Sequence, residues 1–113
     1  MSASRRKLPP GADVAADLAA QAGRAADLLK AMAHPQRLRV LCLLVDGERS
    51  VGEINRDVAL SQSALSQHLA KLRDEGLVET RKDAQVVYYR LAPGPAVDVI
   101  RTLHGAYCGV RRG

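Results

Sequence analysis

Apolar residues recur at helical spacing in the stretch from Leu60 to Val78, which reads LSQSALSQHLAKLRDEGLV. Three of its leucines stand at i, i+4 and i+7, on one stripe of an α-helix: Leu65, Leu69 and Leu72. Ser61 stands where an N-cap is expected, and Gly76 stands where a left-handed residue is expected after the last turn. The pattern predicts a helix from Gln62 to Glu75 whose leucines pack into a small core.

The opposite face of this helix carries short or medium hydrogen-bonding side chains and little negative charge. Its members are Gln62, Ser63, Ser66, Gln67 and Lys71. Such side chains suit base edges and phosphates in a major groove. An ordinary solvated face is the alternative, but it usually carries Glu and Lys rather than Ser and Gln. We therefore predict a DNA recognition helix, on which His68 packs or meets phosphate.

An alanine-rich stretch, DVAADLAAQAGRAADLLKAMA, begins at Asp13 and predicts the first helix. Its apolar stripe consists of Val14, Leu18, Ala22, Ala25, Leu29 and Met32. The other faces are mostly alanine with few charges. A helix that is apolar nearly all round needs cover on more than one side, which suggests a dimer contact.

Two shorter helices are predicted between this stretch and the recognition helix. His34-Pro35 breaks the first helix, because proline disfavours a helical residue before it yet suits the next helix's first turn. Helix two then runs from about Pro35 to Val45, with inward positions at Leu38, Leu41, Leu44 and Val45 and outward positions at Arg37 and Arg39. Ser50 caps the third helix, VGEINRDVA, with Glu53 completing a capping box. Together with the recognition helix it predicts a helix-turn-helix.

After Gly76 the pattern becomes extended: LVETR, a turn at KDAQ, then VVYYRL. This predicts a β-hairpin wing, and the residues on its flanks and tip suit phosphates or the minor groove: Arg81, Lys82 and Gln85. Pro93-Gly94-Pro95 closes the hairpin, and PAVDVIRTLHGAYC forms a last amphipathic helix that is a natural second dimer contact. The predicted fold is mainly α-helical with a hairpin wing: a winged helix-turn-helix of about five helices, dimeric through its first and last helices.

Length and charge agree with this interpretation. With 113 residues the chain makes one domain, for which we expect an N-terminal arm at 1–11, the DNA-binding and dimerisation domain at 12–109 and a tail at 110–113. The net charge of +5 favours a polyanionic partner such as double-stranded DNA. Phe and Trp are absent, so large apolar anchors are scarce, and a core shared by two chains would compensate. Neither a secretion signal nor a membrane span is present, so we expect a cytoplasmic protein without a membrane partner.

The sequence lacks the motifs of catalytic sites, and we expect neither enzymatic activity nor a cofactor. Its two cysteines stand too far apart for a CxxC zinc motif and do not form a secreted disulfide framework. Cys42 lies on the apolar face of helix two, where a small buried hydrophobe is the plainer interpretation. Cys108 ends the last helix with Arg111 and Arg112 close behind, and neighbouring cations favour the reactive thiolate.

The run of motifs LLKAMAHPQRLRVLCLL, VGEI, LSQSALSQHLAKLRDEGLV and QVVYYRL resembles the ArsR/SmtB family of bacterial winged-helix repressors, over about Ala25 to Tyr107. The resemblance implies a dimer through the first and last helices, with the helix from Gln62 to Glu75 in the major groove. The family's usual metal sites are missing here: VGEINRDV has no Cys, and the last helix offers Asp98 and His104 without a second His or a Glu. We therefore expect no site for a metal of the usual kind.

The pair of Cys42 and Cys108 is similar to that of the sulfide- and persulfide-responsive subgroup typified by BigR and SqrR, which HlyU-type regulators also resemble. The resemblance implies a repressor that releases DNA when reactive sulfur species, or an oxidant, join the two cysteines by a disulfide or polysulfide. Two alternatives stay open. One is a metal- or metalloid-responsive repressor that uses the same thiols, and the other is a winged-helix dimerisation or adaptor protein without DNA binding.

Overall fold

The computed structural model describes residues 14–107, which form five α-helices and a three-stranded antiparallel sheet. The helices are α1 Val14–Met32, α2 Pro35–Leu43, α3 Val51–Val58, α4 Gln62–Asp74 and α5 Pro95–Tyr107. The strands are β1 Arg49–Ser50, β2 Val78–Asp83 and β3 Val86–Leu91. The predicted arm at 1–11, Cys108 and the predicted tail at 110–113 lie outside the described residues. The winged helix-turn-helix architecture is confirmed.

The core lies where helices α2, α3, α4 and α5 meet the sheet. Its largest fully buried side chains are Val40, Leu41, Ile54, Leu65, Leu72, Leu77 and Ile100. The three leucines predicted to anchor the recognition helix are all among the buried residues of α4. Their burial fixes which face of α4 points away from the core.

Helix ends follow the predicted capping signals. The Ser61 hydroxyl accepts a hydrogen bond from the Ala64 N–H at 3.1 Å, which caps α4. At α3 the Glu53 N–H donates to Ser50 Oγ at 3.1 Å, and the Ser50 N–H donates to Glu53 Oε1 at 2.8 Å. The C-terminal signal is confirmed as well, since Gly76 has a left-handed φ of 73°. The helix itself ends at Asp74, one residue before the predicted end.

Helix two differs from its prediction in two respects. It ends at Leu43, and a 3₁₀ turn from Leu44 to Asp46 replaces its last residues. Arg37 does not point outward, because its guanidinium is half-buried and donates to the Ala31 carbonyl oxygen at 3.1 Å. An outward arginine was expected from helical periodicity alone, which does not show that the end of α1 folds back over this side of α2.

The wing is a hairpin with a shorter turn than the KDAQ turn predicted. Lys82 and Asp83 belong to β2, where they pair with Val87 and Val86. The loop contains only Ala84 and Gln85, and Ala84 has a φ of 57°. Cross-strand pairing therefore continues two residues further than the turn-like composition of this stretch indicated.

A third strand, β1, was not predicted. Arg49 pairs with Tyr89 and Ser50 pairs with Tyr88, so β3 lies between β1 and β2. Because β1 leads directly into α3, the wing is hydrogen-bonded to the start of the helix-turn-helix.

The apolar stripe predicted for α1 is largely exposed in a single chain. Val14, Leu18 and Leu29 are 55%, 62% and 52% exposed, whereas Met32 is buried. On α5, Tyr107 is 77% exposed while Ile100 is buried. The dimer contact expected at these helices requires a second chain and stays a prediction. Within residues 14–107, none of the helices has the length and apolar character needed to cross a membrane.

Candidate nucleic-acid interface

The predicted contact residues of α4 form an exposed polar face at the N-terminal part of that helix. Gln62, Ser63, Ser66 and Gln67 are all exposed, opposite the buried leucines. Their orientation follows from the helical period, because the leucine stripe must face the core. The structure therefore brings together hydrogen-bonding side chains that can reach base edges, on a helix whose backbone is fixed by packing.

Lys71 lies farther along the same helix and is already paired. Its ammonium is 3.3 Å from Glu75 Oε2, one helical turn on. An exposed i,i+4 pair of this kind stabilises a helix by only about 0.2–0.5 kcal/mol. A phosphate can therefore replace the carboxylate as the partner of Lys71 at small cost.

Arg81, predicted to anchor the wing on phosphate, forms a forked pair with Glu48. Arg81 Nε donates to Glu48 Oε1 and Oε2 at 3.1 and 3.0 Å, and Nη2 donates to Oε1 at 2.8 Å. The guanidinium also lies 4.4 Å from the centre of the Tyr88 ring and 3.8 Å from Asp83 Oδ2. The hydrogen bonds from Arg81 lower the pKa of the Glu48 carboxyl, and the same bonds raise the pKa of Arg81.

This pairing was missed at the sequence level. Glu48 precedes β1 and stands 33 positions before Arg81, so no local spacing connects them. The pair ties β2 to the segment before β1 across the intervening strand. Arg81 consequently holds the middle of the hairpin against the segment before β1. Arg81 reaches DNA only by leaving Glu48 or by sharing its charge between Glu48 and a phosphate.

Lys82 and Gln85 occupy the end of the wing. Both are exposed, and neither forms an ion pair or side-chain hydrogen bond within residues 14–107. Of the two predicted cationic contacts on the wing, Arg81 is neutralised by a carboxylate. Lys82 has no carboxylate partner among the described residues.

Cys42 lies half-buried on α2, facing α5 between two cavities. One cavity, of about 280 Å³, is also lined by Leu38, Arg39, Leu103 and Tyr107. The other, of about 420 Å³, is lined by Cys42 together with Arg39, Leu43, Asp46, Asp57, Val58 and His104. Its predicted partner Cys108 lies outside the described residues and follows Tyr107 directly in the chain. Among residues 14–107, no three His, Cys, Asp or Glu side chains are grouped so as to hold a metal ion.

A recognition helix with an exposed Ser/Gln face, set in a helix-turn-helix and flanked by a basic hairpin, defines a winged-helix DNA-binding protein. Residues 34–80 match the model of the bacterial regulatory protein family known as arsR. The transcriptional activator HlyU of Vibrio cholerae is 55% identical over 85 residues, covering 75% of this chain and 79% of HlyU. The chain belongs to the arsR family of bacterial regulatory proteins.

Solved structures of related regulators share the fold. Reduced HlyU from Vibrio cholerae superimposes with a TM-score of 0.78 at 51% identity, covering 81% of this chain and 97% of that one. The transcriptional repressor BigR from Xylella fastidiosa gives 0.78 at 38% identity, with coverages of 86% and 96%. A homodimeric winged helix-turn-helix DNA-binding domain, Mb0332 of Mycobacterium bovis, gives 0.67 at 30% identity, with coverages of 88% and 89%.

These relatives are transcriptional regulators, so the prediction that the chain is not an enzyme is confirmed. The resemblance to the ArsR/SmtB family, and within it to BigR- and HlyU-type regulators, is confirmed as well. The individual contact residues and the two-cysteine pair stay predictions.

The forked pair on the wing leads to a first prediction. Glu48→Gln should release Arg81 toward phosphate, because an amide neutralises the guanidinium far less than a carboxylate does. We expect tighter binding to random-sequence duplex DNA and a salt dependence steeper by about one unit in the log–log slope, the value for roughly one added phosphate contact. Affinity measured at several salt concentrations tests this.

Glu79→Gln is the matched control, because it removes the same charge from the other Arg–Glu pair of the sheet. There Arg90 Nε and Nη2 donate to Glu79 Oε1 at 3.0 and 2.8 Å. Equal effects of the two substitutions would mean that overall charge, and not Arg81, accounts for the change.

Proposed function

We propose that this regulator is a dimeric repressor that reads operator DNA with the N-terminal half of α4. In the same proposal, it leaves the DNA when a persulfide joins Cys42 to Cys108. The observation that carries the first part is the exposed face of Gln62, Ser63, Ser66 and Gln67, held outward by the buried leucines of α4. Lys71, Arg81, Lys82 and Gln85 supply the flanking contacts to the DNA backbone in this proposal.

A dimer is supported by the exposed apolar stripe of α1. Three large aliphatic side chains on one helix face are more than half exposed: Val14, Leu18 and Leu29. Covering them would remove several apolar side chains from water, each contributing roughly 1.5–3 kcal/mol when fully buried. One recognition helix also reads too few bases to specify a site, and a two-fold axis supplies a second half-site. The homodimeric Mb0332 domain offers a precedent for such an assembly in a structural relative.

The cysteine switch is supported by the place of Cys42 on α2. It lines a cavity with Leu103 and Tyr107 of α5, and Cys108 is the next residue along the chain after Tyr107. A bond between the two cysteines would tie α2 to the end of α5. If α5 is part of the dimer contact, such a bond changes the relative placement of the two recognition helices, which is how a local modification alters DNA affinity.

The sulfur chemistry balances without a further oxidant. The Cys42 thiolate takes the outer sulfur of a persulfide RSSH, which gives a Cys42 persulfide and releases the thiol. The Cys108 thiolate then attacks Cys42 Sγ, forming the disulfide and expelling hydrosulfide, so the donor is the species reduced. If Cys108 is also persulfidated, the Cys42 persulfide anion attacks Cys108 Sγ instead and expels hydrosulfide, leaving a trisulfide bridge. A direct disulfide needs Cα atoms roughly 4.4–6.8 Å apart, whereas added sulfur spans a wider gap.

The dimer proposal predicts the effect of a charge on the α1 stripe. Leu18→Glu should shift the protein from twice the 12.1 kDa of one chain to a single chain and weaken operator binding, because a buried carboxylate at a dimer contact is strongly unfavourable. Sedimentation at micromolar concentration measures the mass. Ala20→Glu, on the opposite side of α1, is the control and should stay dimeric. A monomeric wild-type protein that still bound a palindromic duplex tightly would rule the dimer out.

The proposed docking predicts two kinds of DNA-binding mutant. Gln62→Ala or Ser66→Ala should reduce the ratio of operator to random-duplex affinity, by about 1–3 kcal/mol where a base contact is lost. Lys82→Ala should weaken both affinities alike and flatten the salt slope by about one unit. Arg81→Ala should have a smaller effect than Lys82→Ala, since Glu48 already neutralises that arginine. The operator can be selected from a random-sequence duplex library. The docking is wrong if wing mutants change sequence preference while helix mutants do not.

The cysteine switch predicts that glutathione persulfide releases wild-type protein from its operator and produces one intramolecular link. Cys42→Ser and Cys108→Ser should bind DNA normally and resist release, because neither can close the bridge. Mass spectrometry after persulfide and, separately, after peroxide identifies the bridge formed. Parallel samples with zinc or arsenite test the metal and metalloid alternative. Release of either single mutant by the persulfide, or no link in the wild type, would contradict the switch.

A further inference from the structure

Arg37 connects three helices through one side chain. On α2, its Nη1 donates to the Ala31 carbonyl oxygen in the last turn of α1 at 3.1 Å. Its Nε donates to His68 Nδ1 on α4 at 3.4 Å. The His34 ring, which precedes α2, lies 4.6 Å from the His68 ring between centroids. The end of α1 is thereby coupled to the side of the recognition helix.

The two bonds of Arg37 differ in what they require. The Ala31 carbonyl is among the last carbonyls of α1, which have no partner within their own helix, so an arginine donor satisfies one of them at every pH. His68 can accept from Arg37 only while Nδ1 carries a lone pair, that is, while the imidazole is neutral with its proton on Nε2. Protonation removes the acceptor and places a cation against the guanidinium.

We infer that Arg37 and His68 are positioning residues for DNA binding: they fix α4 relative to the end of α1 while His68 is neutral, and acid releases α4 and weakens operator binding. The inference rests on the proposed reading of DNA by α4 and dimerisation through α1. A shift of α4 against α1 would change the distance between the two recognition helices of a dimer, and operator affinity depends on that distance.

The surroundings of His68 favour its neutral form. Burial lowers the pKa of His68 below the ordinary value for imidazole, and the charges of His34 and Arg37 lower it further. Both groups whose charge acts on His68 come from α2 and its N-cap. The other elements packed on α4, including α1 and β2, contribute no carboxylate that would oppose them. Because the folded-state pKa is depressed, this contribution is present above the ordinary imidazole pKa and is lost as pH falls.

The sign of the pH effect separates this role from a direct contact with DNA. A histidine that merely meets a phosphate binds more tightly when protonated, so acid would raise affinity. A positioning histidine that must accept from Arg37 gives the opposite trend. A purely structural packing role gives no dependence on the protonation of His68.

The test compares operator affinity at pH 7.5 and pH 5.5 for wild type, His68→Gln and His104→Gln, with reductant present. Glutamine keeps an acceptor for Arg37 and does not titrate. We expect wild type and His104→Gln to lose affinity at least about fivefold on acidification, the lower end of typical coupling between sites. His68→Gln should change less than about twofold. The inference is overturned if the operator affinity of the wild type rises on acidification. It is also overturned if His68→Gln loses as much affinity on acidification as the wild type does.

A second measurement needs no DNA. Titration of the His68 ring by NMR should give a higher pKa in Arg37→Gln than in wild type, because removing the guanidinium removes both the hydrogen bond to neutral Nδ1 and a nearby positive charge. An unchanged pKa would overturn the inference even if operator binding by α4 is correct. If Gln62→Ala and Ser66→Ala keep the full ratio of operator to random-duplex affinity, the proposed reading of DNA by α4 fails instead. Failure of the inference and failure of the proposed function therefore give different results.

Discussion

The burial of Leu65, Leu69 and Leu72 is the constraint on which the rest of the structure depends. These side chains are buried in the core that α4 shares with α2, α3 and the sheet. Their burial decides how α4 is rotated about its axis. The polar face is then exposed as a consequence of packing. Buried leucine typically costs about 2–5 kcal/mol when cut back to alanine, which is far more than a surface contact can offset. The hydrophobic core therefore fixes which side chains of α4 are exposed.

Around this core, two arginines set the positions of the wing and of α4, the elements proposed to contact DNA. Arg81 binds Glu48 from the middle of the hairpin, and Arg37 spans from Ala31 on α1 to His68 on α4. Arg37 was expected to point outward from α2, and Arg81 was expected to contact phosphate from the wing. In the structure Arg81 directs two of its nitrogens at the single Glu48 carboxylate, whereas Arg37 directs two at groups on different helices. Both arrangements suit the planar fork of arginine better than the single ammonium of lysine.

Local signals in the sequence were sufficient for the helices and their caps. Ser61, the box of Ser50 and Glu53, and Gly76 act within a few residues of one another, so their chemistry can be read along the chain. The strand β1 could not be predicted this way, since two residues carry no period and become a strand only by pairing with β3. The Arg81–Glu48 and Arg37–His68 contacts join residues 33 and 31 positions apart, and only the tertiary fold brings them together. The α1 stripe was recognised as apolar, and three of its side chains are more than half exposed in one chain.

The short strand β1 has a mechanical consequence. It passes directly into α3, and its pairing with β3 fastens the hairpin to the helix-turn-helix at its first residue. The wing is thus joined to the start of α3 by main-chain hydrogen bonds, and it cannot move relative to that point without breaking them. Any change that repositions the start of the helix-turn-helix therefore moves the hairpin with it.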